Sequence, residues 1–167
     1  MTFVERPLSP VIVFTVPLIP AAKGRPRFAR VGQFVRTFTP AKTEEAERNF
    51  VALAAPHAPA APFDGPVGID LTFMFPIPKS WPKWKKEAAA AGEVEHTSKP
   101  DADNVQKLVL DALTGTGRWF RDDAQITTLR SRKLYAAATG TIVRIWGRAE
   151  ITAQAWKAKK GAAIHAT

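Results

Sequence analysis

Five apolar residues occupy alternate positions near the middle of the chain, and this alternation constrains the fold more than any other feature. They are Val67, Ile69, Leu71, Phe73 and Phe75. Because successive side chains of a strand point to opposite faces, the pattern predicts a β-strand from Val67 to Phe75 with one buried face. Asp70 then points away from the core. The chain is therefore expected to contain a β-sheet in which this strand takes part.

Apolar residues at helical spacing predict two helices. In the first helix, from about Ala41 to Ala55, Thr43 and three glutamates precede an apolar stripe. The second helix runs from Asn104 to Leu113 and ends at the Thr114–Gly117 segment. Its apolar positions are Val105, Leu108, Val109, Ala112 and Leu113.

Three further segments have the β-branched content of strands. Val11–Val16 is expected to be short or at a sheet edge because prolines follow it. Ile126–Tyr135 and Gly140–Trp146 are expected to form a hairpin through Ala136–Thr139. We therefore predict an α+β fold, a single compact domain in which a small mixed sheet packs with two main helices.

The remaining segments are expected to be irregular. Ala21–Phe38 interleaves basic and aromatic residues around glycines, which indicates a basic loop or hairpin, and Ala54–Pro62 is expected to be a linker. Pro76–Pro100 is rich in proline and lysine and predicts a long, partly mobile excursion. The expected organisation is an N-terminal extension over 1–10, one domain over 11–150 and a basic tail over 151–167.

The chain is basic, with 24 lysine and arginine residues against 15 acidic ones and a formal net charge of +9 at pH 7. Such a surplus favours a polyanionic partner, most often nucleic acid. The absence of cysteine excludes disulfides, thiolate metal sites and a cysteine nucleophile. No apolar run approaches the roughly 20 residues of a membrane span, so a cytoplasmic protein is expected.

Four aspartates bracket the second predicted helix and carry the most chemical information. Asp101 and Asp103 are two residues apart just before it, so in an extended segment both carboxylates can reach one point. Mg²⁺ prefers such oxygen ligands, completed by water and substrate phosphate. Asp122 or Asp123 could supply a third ligand across the fold.

Each acid also has an interpretation without a metal. Asp103 with Gln106 fits a helix-capping box, and Asp101 beside Lys99 fits a surface ion pair. Asp122 and Asp123 fit a turn before a strand. These interpretations and metal binding remain open at this point.

Lys107 lies four residues after Asp103, one helical turn on and on the same face. It fits an ordinary i,i+4 ion pair. In phosphodiester hydrolysis, a lysine at this place would stabilise charge on the phosphate or help to activate the attacking water.

The sequence around these acids contains an ordered set of short motifs. They are Lys99–Asn104, Lys107, Asp111–Leu113 and Asp122–Ile126, preceded by Pro20–Pro26, Thr39–Pro40 and His96–Pro100. Together they resemble the RusA family of Holliday junction resolvases over Val11 to Gly147. The resemblance implies an α+β endonuclease, often encoded by phages or prophages, that acts as a homodimer. It also implies dependence on Mg²⁺ or Mn²⁺ and cleavage of four-way DNA junctions by paired symmetric nicks.

The resemblance also implies which residues act. The three aspartates and the lysine of the family fall on Asp101, Asp103, one of the paired aspartates, and Lys107. Asp123, the second of its pair, is preferred as the third metal-binding carboxylate. Asp122 competes with it because the preceding connection is about one residue longer than in the family's best-known member. Asp111 is expected to be structural.

DNA binding is expected to rest on phosphate contacts from six basic residues. These are Lys23, Arg25, Arg27, Lys79, Lys83 and Lys99. Four aromatic residues are candidates for stacking on unpaired bases, namely Phe28, Phe34, Trp81 and Trp84. Trp119 and Phe120 are expected in the core, and no histidine is assigned a site. Two rival functions stay open, a broader structure-selective nuclease and a non-catalytic basic DNA- or RNA-binding module.

Overall fold

The computed structural model describes residues 11–24, 27–31, 33–148 and 153–154 of the 167-residue chain. The strands are β1 (Ile12–Val16), β2 (Arg27–Val31), β3 (Phe34–Phe38), β4 (Val67–Pro76), β5 (Ile126–Ala136) and β6 (Gly140–Gly147). The helices are α1 (Ala41–Ala54), α2 (Lys83–Ala90) and α3 (Ala102–Gly115). Two 3₁₀ turns, Ala55–His57 and Asp123–Gln125, follow α1 and precede β5. The N-terminal extension and nearly all of the expected basic tail lie outside the described residues.

Four strands form a mixed sheet in the order β1, β6, β4, β5. β4 pairs in parallel with β5 and antiparallel with β6, and β1 pairs antiparallel with β6. β2 and β3 form a separate antiparallel hairpin from the basic segment. The α+β class and the mixed sheet are therefore confirmed, and β1 lies at an edge as its prolines predicted.

The core lies between one face of the sheet and helices α1 and α3. The five alternating residues of β4 are all buried there. They meet the apolar stripe of α3, in which Val105, Val109 and Leu113 are at most 2% exposed. Trp119 and Phe120 are also buried, as expected, and Trp119 stacks on Phe14 of β1.

Trp146 of β6 covers the opposite face of β4 at Gly68. A Cβ atom at position 68 would lie 2.2 Å from the Trp146 ring, so only glycine fits under the indole. This close approach explains a glycine inside the most buried strand of the sheet.

The expected hairpin of β5 and β6 is wrong. Although only three residues separate them, β5 and β6 lie on opposite sides of β4 and do not pair. With one neighbour on each side, both rows of β4 backbone donors and acceptors are paired. A hairpin of β5 and β6 would leave one edge of this buried strand unsatisfied.

Two irregular segments are more ordered than expected. The Pro76–Pro100 excursion contains α2, with Pro82 at its N-cap position, so the prolines precede the helix and do not interrupt it. The Ala54–Pro62 linker begins with the last residue of α1 and the Ala55–His57 turn. The first predicted helix is confirmed as α1 and the second as α3, which begins two residues earlier than expected. Within the described residues, no helix is both long and apolar enough to cross a membrane.

Candidate active site

Asp101 and Asp103 lie at the start of α3, and both are exposed. Asp101 is the N-cap residue in an extended conformation, and its side chain makes no capping hydrogen bond. Asp103 is already inside the first turn, so it cannot serve as the N-cap. The Asp103–Gln106 capping box is therefore wrong, and the Gln106 Oε1 atom instead accepts a hydrogen bond from the Ser131 hydroxyl at 2.8 Å.

The carboxylates of Asp101 and Asp103 have no hydrogen-bond or ion-pair partner among the described side chains, and neither does the Lys107 ammonium. The alternative ion pair between Asp101 and Lys99 is likewise absent there. Lys107 is exposed one turn after Asp103, while the other face of α3 is buried in the core. Two carboxylates and one ammonium are thus presented to solvent at one end of a rigid helix.

Asp122 and Asp123 stand in a different local setting, at the turn before β5. Asp122 Oδ1 accepts from the Ala124 backbone N–H at 2.8 Å, and Gln125 Oε1 accepts from the Asp122 N–H at 3.1 Å. This is a complete capping box. The Asp123 side chain is exposed and has no partner among the described residues. The turn interpretation therefore holds for Asp122, while the Asp123 carboxylate stays uncommitted.

The two acidic pairs lie on elements that contact each other, because Ser131 of β5 bonds Gln106 of α3. Within the described ranges, however, no three acidic or histidine side chains are close enough to hold one metal ion. Mg²⁺ commonly uses only one or two carboxylates and completes its shell with water and phosphate. Asp101 and Asp103, unpaired and exposed, fit that donor requirement.

The segment that leads into Asp101 is fastened to β5 by Lys133. The Lys133 ammonium donates to the carbonyls of Ser98 at 2.8 Å and Pro100 at 2.6 Å. The Lys133 carbonyl accepts from the His96 N–H at 3.1 Å. Sequence reasoning missed Lys133, since nothing in its strand distinguishes it from the neighbouring basic residues.

His96 belongs to the same segment, and the residue is buried, with 7% of its surface exposed. It stacks on Phe75 with ring centroids 3.9 Å apart and lies against Tyr135. Burial, together with the nearby Lys133 charge, lowers the pKa of His96 below its ordinary value of 6.5. These contacts make His96 part of the packing beneath the Asp101 segment, with no metal ligand role assigned.

Lys23 lies between α1 and α3, where its ammonium contacts the carboxylates of Glu47 and Asp111. Burial lowers the pKa of Lys23, but hydrogen bonds to both carboxylates outweigh it, and the net pKa is raised above 10.5. The Lys23 N–H also donates to the Asn104 carbonyl at 2.9 Å. Lys23 therefore anchors the chain before the basic hairpin, and Asp111 has the structural contact expected of it.

The other predicted DNA contacts are placed unevenly. Lys79, Lys83 and Lys99 are exposed, Arg27 begins β2, and Arg25 lies outside the described residues. Among the aromatic candidates, Phe28, Phe34 and Trp84 are between 68% and 77% exposed.

Trp81 differs from the other aromatic candidates. Its ring packs edge-on against Tyr135, and the Lys85 ammonium lies 3.9 Å from the ring centroid. Trp81 is only partly exposed, so it is part of the packing around α2. Of the four, Phe28, Phe34 and Trp84 are the ones that present a ring to solvent.

The start of α3 presents two carboxylates without described partners and a lysine one turn on, in a small basic α+β protein. This combination is suited to phosphodiester chemistry. Residues 17–146 match the family described as Endodeoxyribonuclease RusA. The chain is also similar to YqaN of Bacillus subtilis (strain 168), a protein described as uncharacterized. The two are 38% identical over 127 residues, which is 75% of this chain and 88% of YqaN.

The chain belongs to the RusA endodeoxyribonuclease family. The resemblance inferred from the sequence motifs is thereby confirmed over nearly the same range of residues. The protein is a hydrolase that acts on DNA, in a family of Holliday junction resolving endonucleases.

Proposed function

We propose that this protein resolves four-way DNA junctions by paired symmetric nicks, through phosphodiester hydrolysis that depends on Mg²⁺, with Mn²⁺ as a substitute. The observation that carries the proposal is the start of α3, where Asp101 and Asp103 are exposed and make no capping bond. Two carboxylates without protein partners would repel DNA unless a cation lies between them and the phosphate. Membership of the RusA family supports the same substrate.

In this proposal each residue of the site has one role. Asp101 and Asp103 hold the divalent cation, and Lys107 stabilises charge on the scissile phosphate one helical turn away. The bound cation supplies Lewis acidity and a more acidic water. The free backbone N–H groups in the first turn of α3 favour an anion at the same end of the helix.

Asp123 is proposed as a third carboxylate that joins Asp101 and Asp103 when a cation and DNA are bound, since no three acidic side chains of the described residues are already close enough to hold one ion. The support comes from the different hydrogen bonding of the two aspartates before β5. One Asp122 oxygen already accepts a hydrogen bond from the Ala124 N–H. Asp123 next to it is exposed and uncommitted among the described side chains. A carboxylate free of backbone bonds can turn toward a cation without loss of a helix cap.

The DNA surface and the assembly complete the proposal. Lys79, Lys83 and Lys99 contact phosphates, together with Arg25 and Arg27 of the hairpin segment, and Lys23 acts as an anchor between α1 and α3. Two nicks related by two-fold symmetry require two equivalent sites, which a two-fold homodimer supplies. A cytoplasmic location stays a prediction.

The test compares a synthetic four-way junction with a linear duplex of the same sequence, each in Mg²⁺ or EDTA. Wild-type protein is expected to nick only the junction, at symmetric positions, and only with Mg²⁺. Asp103→Asn should abolish cleavage. Asp64→Asn is the matched control, because Asp64 is an exposed aspartate paired with Arg121 and distant in sequence from the site.

The other outcomes identify the rivals. Cleavage of flaps, forks or single strands at the same rate as the junction would replace the proposal with a broader structure-selective nuclease. Binding without cleavage under any divalent ion would leave a non-catalytic nucleic-acid-binding module. Equal loss in Asp64→Asn and Asp103→Asn would mean that surface charge alone accounts for the effect.

A further inference from the structure

We propose that Lys133 is a positioning residue that holds Asp101 and Asp103 in the orientation needed to bind the cation. This inference rests on the proposed function, because it concerns the same carboxylates. Lys133 itself donates to backbone oxygens and is placed behind the site, on β5.

The contacts of Lys133 converge on the few residues before Asp101. Its ammonium donates to the Ser98 carbonyl at 2.8 Å and to the Pro100 carbonyl at 2.6 Å, and Pro100 is directly bonded to Asp101. Hydrogen bonds from a charged donor are shorter and roughly twice as strong as neutral ones. One side chain thus fixes two of the three peptide groups that precede the first acid.

The main chain of the same strand fastens the segment further upstream. The Lys133 carbonyl accepts from the His96 N–H at 3.1 Å, and the Tyr135 N–H donates to the Val94 carbonyl at 3.3 Å. Glu95 and Leu134 form an isolated antiparallel bridge between these two bonds. The chain before Asp101 is therefore laid along β5, and the Lys133 side chain extends that attachment to Pro100.

A second contact fixes α3 itself to the same strand. Ser131 is two residues before Lys133, on the same face of β5, and its hydroxyl donates to Gln106 one turn into the helix. The Asp101–Asp103 segment thus lies between two contacts with β5, one from Lys133 and one from Ser131. Loss of the Lys133 contact would free the residues before Asp101, while the Ser131 contact still holds α3.

This arrangement matters for metal binding because Asp101 and Asp103 have no side-chain partners of their own among the described residues. Their relative orientation depends on the backbone of the helix start. Groups that orient metal ligands from behind change metal affinity by about 10-fold to 100-fold when they are removed. Lys133→Met keeps most of the unbranched stem of the side chain and removes both hydrogen bonds.

The experiment measures two values. One is the dissociation constant of Mn²⁺ for the protein without DNA, by calorimetry, and the other is the Mg²⁺ concentration that gives half-maximal junction cleavage. In Lys133→Met both values are expected to rise about 10-fold. Junction binding in EDTA should change less than about twofold, since the ammonium is directed at carbonyls and contributes little to phosphate binding.

Arg132→Met is the matched control, because Arg132 is the adjacent β5 residue, carries the same charge and lies 3.9 Å from Glu95. It should leave both metal values unchanged. An equal rise in Arg132→Met would overturn the inference in favour of a general charge effect. Lys133→Met with wild-type metal values would overturn it directly.

If thermal unfolding shows that Lys133→Met does not fold, Lys133→Gln replaces it, since a glutamine amide can keep one of the two bonds. An intermediate rise in both metal values would support the inference, and wild-type values would overturn it. If the wild-type protein cleaves normally and the Lys133 variants have the same two metal values as the wild type, only the proposed role of Lys133 is overturned. A wild-type protein that neither binds Mn²⁺ nor cleaves removes the proposed function as well.

Discussion

Two helical elements in this protein, α3 and the Asp123–Gln125 turn, begin with two nearby aspartates, and they use those aspartates differently. At the Asp123–Gln125 turn, the Asp122 side chain accepts from the turn's backbone N–H groups, and the Gln125 side chain accepts from the Asp122 N–H, in a complete capping box. At α3 the N-cap residue is also an aspartate, yet Asp101 makes no capping bond, and no residue in the first turn returns one. The longer helix is thus the one that leaves its N-cap unused.

The difference shows which of the two helical elements depends on an N-cap hydrogen bond for its stability. A capping aspartate contributes about 1 kcal/mol to its helix, which α3 forgoes at Asp101. α3 tolerates this because its apolar stripe is buried against the sheet, whereas the three-residue turn has no buried residue of its own. Carboxylates left free at a well-packed helix are available to a ligand.

The largest expected effect is on cleavage, in Asp101→Asn. Removal of a metal-binding carboxylate is expected to lower junction cleavage at least about 100-fold, since the cation stabilises the transition state by several kcal/mol. The free energy of unfolding should change by less than about 0.5 kcal/mol, because no capping bond is lost. Single-turnover cleavage and urea unfolding measure the two. If Asp101→Asn were destabilised and still cleaved, Asp101 would be a capping residue like Asp122 and not a cation ligand.

The second prediction separates Asp123 from Asp122. Asp123→Asn is expected to reduce cleavage at least about 10-fold with little change in stability, because a lost cation ligand removes more than about 1.4 kcal/mol of transition-state stabilisation. Asp122→Asn should cleave normally, because asparagine caps as well as aspartate does. Asp122→Ala should lose about 1 kcal/mol of stability. If Asp122→Asn were the inactive variant, the assignment of the third carboxylate would move to Asp122.

The third prediction concerns Gln125, whose side chain makes four hydrogen bonds. Its Oε1 atom accepts from the Arg121 and Asp122 N–H groups, and its Nε2 atom donates to the carbonyls of Phe63 and Gly65 at 2.9 Å. Gln125→Ala is expected to lower the free energy of unfolding by about 2 to 4 kcal/mol. Thermal unfolding should show a corresponding fall in the melting temperature.

Gln106→Ala is the matched control for that measurement. Gln106 holds the corresponding position three residues after Asp103, but among the described residues its side chain makes only the hydrogen bond from Ser131. Its replacement should cost about 0.5 to 1 kcal/mol, as for a single exposed hydrogen bond. Equal losses at both glutamines would mean that α3 has a capping interaction comparable to that of the turn.

The sequence predicted the local elements well, because periodicity is a local property. The alternation along β4 and the stripe from Val105 to Leu113 were both buried as expected. Strand pairing was harder, since the short Ala136–Thr139 connection favours a hairpin while the unpaired edges of β4 favour a neighbour on each side. Only the three-dimensional arrangement decides between these two demands.

The candidate site was predicted in its residue types more fully than in its contacts. The spacing of Asp101, Asp103 and Lys107 placed them at one helix end, where the structure also has them. The same spacing gave no means to tell a capping aspartate from a free one, because both favour the start of a helix. Lys133 was missed because its partners are main-chain carbonyls, which leave no mark on the sequence.

The smallest expected effect tests the packing beneath the free carboxylates through pH. Since burial lowers the pKa of His96 in the folded protein, the unfolded chain binds the extra proton first as pH falls below 6.5. The neutral ring therefore contributes stability that is complete above pH 6.5 and is lost as pH falls toward the lowered folded value. His96→Phe, which keeps the stack on Phe75, should remove that dependence.

Unfolding curves for wild-type protein and His96→Phe between pH 7.5 and 5 test this. The difference in stability between the two should grow in favour of the variant as pH falls through this range, and it should level off once the folded-state His96 also protonates. Other titrating groups are common to both proteins and cancel in the difference. A constant difference across the range would mean that His96 is as easily protonated in the folded protein as in the unfolded chain. The segment before Asp101 would then be more open than its contacts with Phe75 and Tyr135 imply.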